Sequence, residues 1–176
     1  MRVISGSLKR RNIDAPKGHK THPMSEKMRG ALFNVLGDIN GLTVFDAYGG
    51  SGAIAFEAIS RGAKSVFITE VDKSAAEIVA ANIKNLGLAD RVELARANSN
   101  TWSESNSSAQ FDLVIGDPPY DDIKDDQLKT LVQNVKNGGL LILSLPPDYP
   151  RFEQEYLKLE LDRNYGDGSL VFYRKI

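Results

Sequence analysis

Asp117-Pro118-Pro119-Tyr120 is the segment whose residue types and order most directly suggest chemistry. It follows an apolar run, Phe111 to Gly116, that reads as a strand, and two consecutive prolines stop a strand and stiffen the backbone beyond it. The carbonyls there have no N–H donor of their own to satisfy. Such a corner can hold an amine, with Asp117 and the Pro118 carbonyl accepting its two N–H bonds and Pro119 keeping the turn rigid. Methylation of an exocyclic NH2 needs that arrangement, because the delocalised nitrogen lone pair must be turned toward the methyl donor. Tyr120, next in line, offers a ring on which a base can stack.

A second segment, Val44-Phe45-Asp46-Ala47-Tyr48-Gly49-Gly50-Ser51-Gly52, reads as a strand ending in an acid and running through a glycine turn into a helix. Glycines let a ligand approach the backbone, and a helix N-terminus presents free N–H groups. Gly50-x-Gly52-x-x-Ala55 also fits the permissive dinucleotide fingerprint, with Glu70 lying 18 residues past Gly52, so a hydride-transferring enzyme is the rival at this point. Asp46 separates the two. A pyrophosphate gains nothing from a carboxylate beside it, whereas the ammonium and carboxylate of a methionine tail match an acid plus backbone donors. S-adenosylmethionine is therefore the expected cofactor. Asp46, Tyr48, Gly49, Gly50, Ser51 and Gly52 would line its methionine end, Glu70 would accept the ribose hydroxyls, and Asn98, after the third strand, would read the adenine edge. No Gly-x-x-x-x-Gly-Lys-Ser/Thr run is present, which excludes a P-loop.

These segments need elements that bring strand ends together. Alternating patterns give a helix over Glu26 to Leu36, a strand Thr43 to Asp46, a helix Ala53 to Arg61, a strand Ser65 to Thr69 and a helix Ser74 to Leu86. A strand Arg91 to Ala95, the strand Phe111 to Gly116, a helix Asp126 to Val135 and a strand Leu140 to Ser144 follow. The polar patch Ser103 to Ser108 reads as a surface loop. Two extended runs, Tyr156 to Arg163 and Ser169 to Arg174, flank a turn containing Gly166, Asp167 and Gly168 and suggest an antiparallel hairpin. The class is α/β, a mostly parallel sheet with helices on both faces, in one domain spanning residues 1–176. Trp102 is expected to pack beneath the sheet.

The 176 residues carry a net charge of −1, yet the ends differ. Residues 1–29 hold Arg2, Lys9, Arg10, Arg11, Lys17, Lys20, Lys27 and Arg29 against Asp14 and Glu26, a net +6 that leaves −7 for the remainder. The basic end is a candidate phosphate-contacting arm within the domain, with Arg2, Lys9, Arg10, Arg11, Lys27 and Arg29 as its candidate nucleic-acid contacts. His19 and His22 are assigned no catalytic role. The sequence has no cysteine, which excludes disulfides, zinc–thiolate sites and thiol nucleophiles. No apolar run long enough to cross a bilayer and no signal-peptide pattern occurs, so a cytoplasmic protein is expected; a monomer and independence of metal are separate expectations.

With these motifs in order, the chain resembles the small, single-domain bacterial 16S ribosomal RNA guanine-N2 methyltransferases, within the class I methyltransferase superfamily. The resemblance rests on Met1 to Gly6, on Thr21 to Arg29 leading into Ala31-Leu32-Phe33-Asn34, on Asp46 to Gly52, on Glu70 and on Asp117 to Tyr120. It implies a Rossmann-like sheet of seven strands with the last one reversed. It further implies S-adenosylmethionine at Asp46, Gly49, Gly52, Glu70 and Asn98, and transfer to guanine N2 in small-subunit ribosomal RNA held at Asp117 to Tyr120. The family pattern has Arg-Pro-Thr where this chain has His22-Pro23-Met24. A DNA adenine-N6 methyltransferase would use the same amine site, and an inert RNA-binding protein would need only the basic arm.

Overall fold

The computed structural model describes residues 1–16 and 24–176; Lys17, His19, Lys20 and His22 lie outside the described residues. Its centre is one seven-stranded sheet in the order β3-β2-β1-β4-β5-β7-β6. The strands are β1 (Thr43–Asp46), β2 (Ser65–Thr69), β3 (Val92–Ala95), β4 (Phe111–Gly116), β5 (Val135–Leu145), β6 (Leu157–Asn164) and β7 (Ser169–Lys175). β1 to β5 pair in parallel, while β7 runs antiparallel to both β5 and β6. The helices are α1 (Glu26–Leu36), α2 (Ala53–Ser60), α3 (Lys73–Leu86), α4 (Ser99–Ser105) and α5 (Asp125–Thr130). Among the described residues no helix is long and apolar enough to cross a membrane.

Each strand feeds both faces because successive side chains point opposite ways. Val44, Val66, Ile68, Leu113, Ile115, Ile142, Leu170 and Phe172 join α1, α2 and α3 in one buried cluster. Phe45, Val114, Leu141, Leu143, Val171 and Tyr173 join Leu128, Leu131 and Val132 in the other. A central strand with apolar residues at every position is the result. The helix ends are closed by short polar side chains: Ser25 accepts from the Met28 N–H at 3.1 Å and Asp72 from the Ala75 N–H at 2.8 Å.

Two elements differ from expectation. α4 runs into the polar stretch Ser103 to Ser108 taken for a loop and takes in its first half, Ser103 to Ser105. Its serines give no apolar period, and what makes it a helix is the Asn98 cap at one end and Trp102 packed on Phe67 and Phe45, with ring centroids 4.3 and 5.0 Å away. The helix expected to reach Val135 stops at Thr130, passes through a 3₁₀ turn over Leu131–Asn134, and gives Val135 to β5. Val135 pairs with Phe111 and the next paired residue is Leu140 opposite Leu113, so residues 136–139 form an excursion within one strand.

The first thirteen residues fold back on themselves and dock on α2. Val3 N–H donates to the Arg11 carbonyl, and Ile13 N–H donates to that of Met1. The Ile4 and Ser5 N–H groups donate to the two carboxylate oxygens of Glu57 at 2.8 and 3.1 Å. Arg61 donates to the same carboxylate at 2.7 Å. Arg29 approaches Glu57 at 3.9 Å with both side chains fully buried, and also donates to the Arg2 carbonyl at 2.9 Å. Arg29 was expected to face RNA; with no exposed surface it cannot reach a phosphate, and it instead ties α1 to α2 and the N-terminal segment. Arg2, Lys9, Arg10, Arg11 and Lys27 are exposed.

Removing one member of a buried ion pair strands the other charge. Glu57→Ala is expected to cost about 3–5 kcal/mol in urea unfolding, well above Arg2→Ala, whose partner Glu26 is a solvent-exposed contact. Equal costs would show that the Glu57 network does not anchor the N-terminal segment.

Candidate active site

Parallel pairing brings the carboxyl ends of β1, β2, β4 and β5 to one edge of the sheet, where ligands of open α/β sheets bind. Asp46 ends β1 in register with Ile68 of β2 and Ile115 of β4, which sets Glu70 and Asp117 on either side of it. The expected acids therefore converge.

Asp46 is completely buried, and neither carboxylate oxygen has a hydrogen-bond partner among the described residues. Burial pushes its carboxyl up to about 8; the negative charges of Asp117 and Glu70 add to the rise, and the nearby N–H groups of Tyr48 and Ala55 oppose it. An unpaired buried carboxylate is costly unless something positive sits against it. The glycine turn beside it is close-packed. The Gly49 N–H donates to the Thr69 carbonyl at 2.9 Å, and a Cβ at Gly49 would stand 2.5 Å from Ile68 Cγ2. Gly52 caps α2 at φ 77°, and its missing Cβ leaves room for the Phe56 ring.

Glu70 stands just beyond β2 and is held in place twice. One carboxylate oxygen accepts from the Gly50 N–H at 2.6 Å, and the other accepts from the Asp72 N–H at 2.7 Å. A carboxylate has about four acceptor positions, so lone pairs remain for a diol. Burial raises the pKa of the Tyr48 hydroxyl, and the Ser99 side chain at the start of α4 opposes the rise. Ser51, just before Gly52, is buried. Asn98 plays a different part from the one expected of its amide. It is exposed, and its side-chain oxygen accepts from the Asn100 and Thr101 N–H groups at 3.0 and 3.2 Å, so it caps α4 and has only its amide nitrogen left for a ligand.

Asp117, Pro118, Pro119 and Tyr120 leave β4 on the other side of Asp46. Burial pushes the Asp117 carboxyl up to about 6, while the nearby Ser144 hydroxyl and Met24 N–H pull the other way. At neutral pH it is therefore mainly ionised and acts only as an acceptor. Tyr120 is 40% exposed, which leaves ring surface for a base, and its hydroxyl is 2.7 Å from Ser144 Oγ. Ser144 escaped the sequence reading. Its one signal was a hydroxyl in the run Leu140-Leu141-Ile142-Leu143-Ser144-Leu145.

A seven-stranded sheet with β7 reversed, an acid and glycine turn after β1, an acid after β2 and an Asp-Pro-Pro-Tyr corner after β4 define a Rossmann-like class I methyltransferase. The chain belongs to the family described as Conserved hypothetical protein 95, which matches residues 1–174. YlbH of Bacillus subtilis is 32% identical over 99% of this chain and 92% of its own length. Ribosomal RNA small subunit methyltransferase D of Haemophilus influenzae is 26% identical over 99% of this chain and 93% of its own. The solved structure of yhhF from Escherichia coli superimposes with a TM-score of 0.88 at 22% identity, covering 99% of this chain and 97% of that one, a likeness of fold.

A carboxyl whose pKa is raised on folding favours the protonated folded state. Its contribution is full below the ordinary value of 3.8 and is lost as pH climbs through about 8. Without ligand, stability attributable to Asp46 should thus fall from about pH 5 to about pH 8. Asp46→Asn should flatten that slope in urea midpoints measured across the range; an unchanged slope would mean the carboxyl is not perturbed.

Proposed function

We propose that this protein transfers a methyl group from S-adenosylmethionine to the exocyclic N2 amine of a guanine in 16S ribosomal RNA. The observation that carries the reading is the buried, partnerless Asp46 carboxylate beside the glycine turn, with Glu70 on one side and Asp117 on the other. The residues present fit the cofactor. An ammonium group of a methionine tail would supply the charge that Asp46 lacks, the N–H groups at the start of α2 suit its carboxylate, and Glu70 suits the ribose hydroxyls. When bound, the cofactor supplies an electrophilic methyl group on a sulfonium sulfur.

The chain's own residues act on the amine. Asp117 and the Pro118 carbonyl accept its two N–H bonds and turn the nitrogen lone pair toward the methyl carbon, and Pro119 keeps the corner rigid. Tyr120 stacks on the base once it has left its helix, which orients the amine. The surplus proton on the methylated nitrogen passes to Asp117 or to water. Neither a metal nor a covalent enzyme intermediate is needed. Ribosomal RNA is favoured over DNA as the substrate by the Haemophilus influenzae relative, matched over nearly its whole length and named for ribosomal RNA of the small subunit. Exposed Arg2, Lys9, Arg10, Arg11 and Lys27 are the proposed phosphate contacts.

Labelled S-adenosylmethionine incubated with unmethylated small subunits, free ribosomal RNA and DNA, followed by mass spectrometry of nucleosides, is expected to yield N2-methylguanosine from RNA. N6-methyladenine in DNA would overturn the substrate. Asp117→Ala should lower kcat by about a hundredfold or more, the scale of losing one preorganised polar group. Cofactor Kd should hold or tighten near pH 7, because removing the Asp117 charge eases ionisation of Asp46. Turnover near wild type would refute the amine-site assignment. Wild-type kcat/KM for RNA should fall as pH drops through about 6, where Asp117 in the free enzyme takes up a proton. Cofactor kcat/KM should still be rising toward about 8, where Asp46 in the free enzyme loses one.

A further inference from the structure

Ser144 lies near the end of β5, 1% exposed, opposite Leu170 of β7. Its Oγ is 2.7 Å from the Tyr120 hydroxyl. Gly116 of β4 pairs with Leu143 of β5, so Asp117 and Ser144 are the next residues along adjoining strands, and the Ser144 hydroxyl is near enough to draw the Asp117 carboxyl pKa down. One hydroxyl thus bonds the base-stacking ring and stands beside the amine acceptor. Chemistry fixes the direction of the bonds it can make. An ionised carboxylate has no proton to give, so toward Asp117 Ser144 can only donate, and its lone pair accepts from Tyr120. Gly168, just before β7, also abuts the Tyr120 hydroxyl: any Cβ there would overlap the phenolic oxygen. The backbone of Gly168 is not in the left-handed region, so what this position requires is the absence of a side chain.

We infer that Ser144 is a positioning residue for the transfer: the chain Tyr120 O–H to Ser144 O–H to Asp117 carboxylate holds ring and acceptor as one unit, and Gly168 leaves the space it needs. The inference rests on the methyl-transfer reading above. Hydrogen bonds in such a chain polarise one another, so the orientation of the acceptor depends on the ring and the ring on the acceptor. The last two strands thereby take part in the site. β5 carries the hydroxyl, and the turn into β7 sets the clearance over Tyr120.

The test uses the full chain, S-adenosylmethionine and the RNA that the wild type methylates, with Ser144→Ala, Tyr120→Phe, the double variant and Gly168→Ala. Ser144→Ala should lower kcat by about tenfold while cofactor Kd and the thermal midpoint stay near wild type. Tyr120→Phe keeps the ring and should lose less. The double variant should be clearly more active than the product of the two single losses, the sign of a shared interaction. Gly168→Ala should lower kcat, and adding Tyr120→Phe should restore part of it by removing the overlapped oxygen. Losses that multiply, a Ser144→Ala variant as active as wild type, or a fall in thermal midpoint that accounts for the lost activity would each overturn the inference. A wild type that methylates no RNA would instead remove the underlying reading, and this inference with it.

Discussion

Two carboxylates that repel one another stand at the ends of the adjacent central strands β1 and β4, and the site depends on their being held there. Asp46 has no exposed surface and no hydrogen-bond partner among the described residues; burial raises its pKa, and the charge of Asp117 adds to the rise. Left to itself such a pair would separate or protonate. What prevents separation is the sheet. The Ala47 N–H bonds the Ile115 carbonyl at 2.9 Å, and the buried Thr69 hydroxyl bonds the Ala47 carbonyl at 2.9 Å, so the ends of β1, β2 and β4 are braced together. A cation delivered beside Asp46 would relieve the strain, which makes binding of a positively charged ligand and completion of the fold parts of one energetic arrangement.

The rest of the molecule keeps that edge rigid. Both faces of the central strands are apolar and covered, which leaves the strands no freedom to slide without burying a polar group or exposing an apolar one. On one face the Phe45, Phe67, Trp102 and Phe111 rings pack at centroid distances of 4.3 to 6.4 Å, binding α4 to the sheet beneath the expected adenosine end of the site. On the other, the buried Glu57 gathers two backbone N–H groups and two arginines, and so joins α1, α2 and the N-terminal segment. The basic residues of that segment are presented on a docked turn, with Val3 and Ile13 in the core. Phosphate contacts made from it would therefore be carried by a surface fixed relative to α2, the helix that begins at the glycine turn.

The amino-acid sequence by itself determined the acids at strand ends, the glycine turn, the Asp-Pro-Pro-Tyr corner and the alternation of strands and helices. Each has a local cause: proline ends a strand, glycine admits a tight turn, and apolar period separates helix from strand. It did not reveal α4, because a serine-rich helix held by one cap and one tryptophan carries no periodic signal. It did not show that Arg29 is internal, since whether a cation faces water depends on the Glu57 carboxylate 28 residues away. Nor could it show Ser144 reaching Tyr120, or Gly168 giving that ring its space, because only the parallel pairing of β4 with β5 and the reversal of β7 bring those three strand ends together. Residue chemistry is local and legible along the chain. The partners of a buried polar group are chosen by long-range packing, and those were decided by the tertiary structure alone.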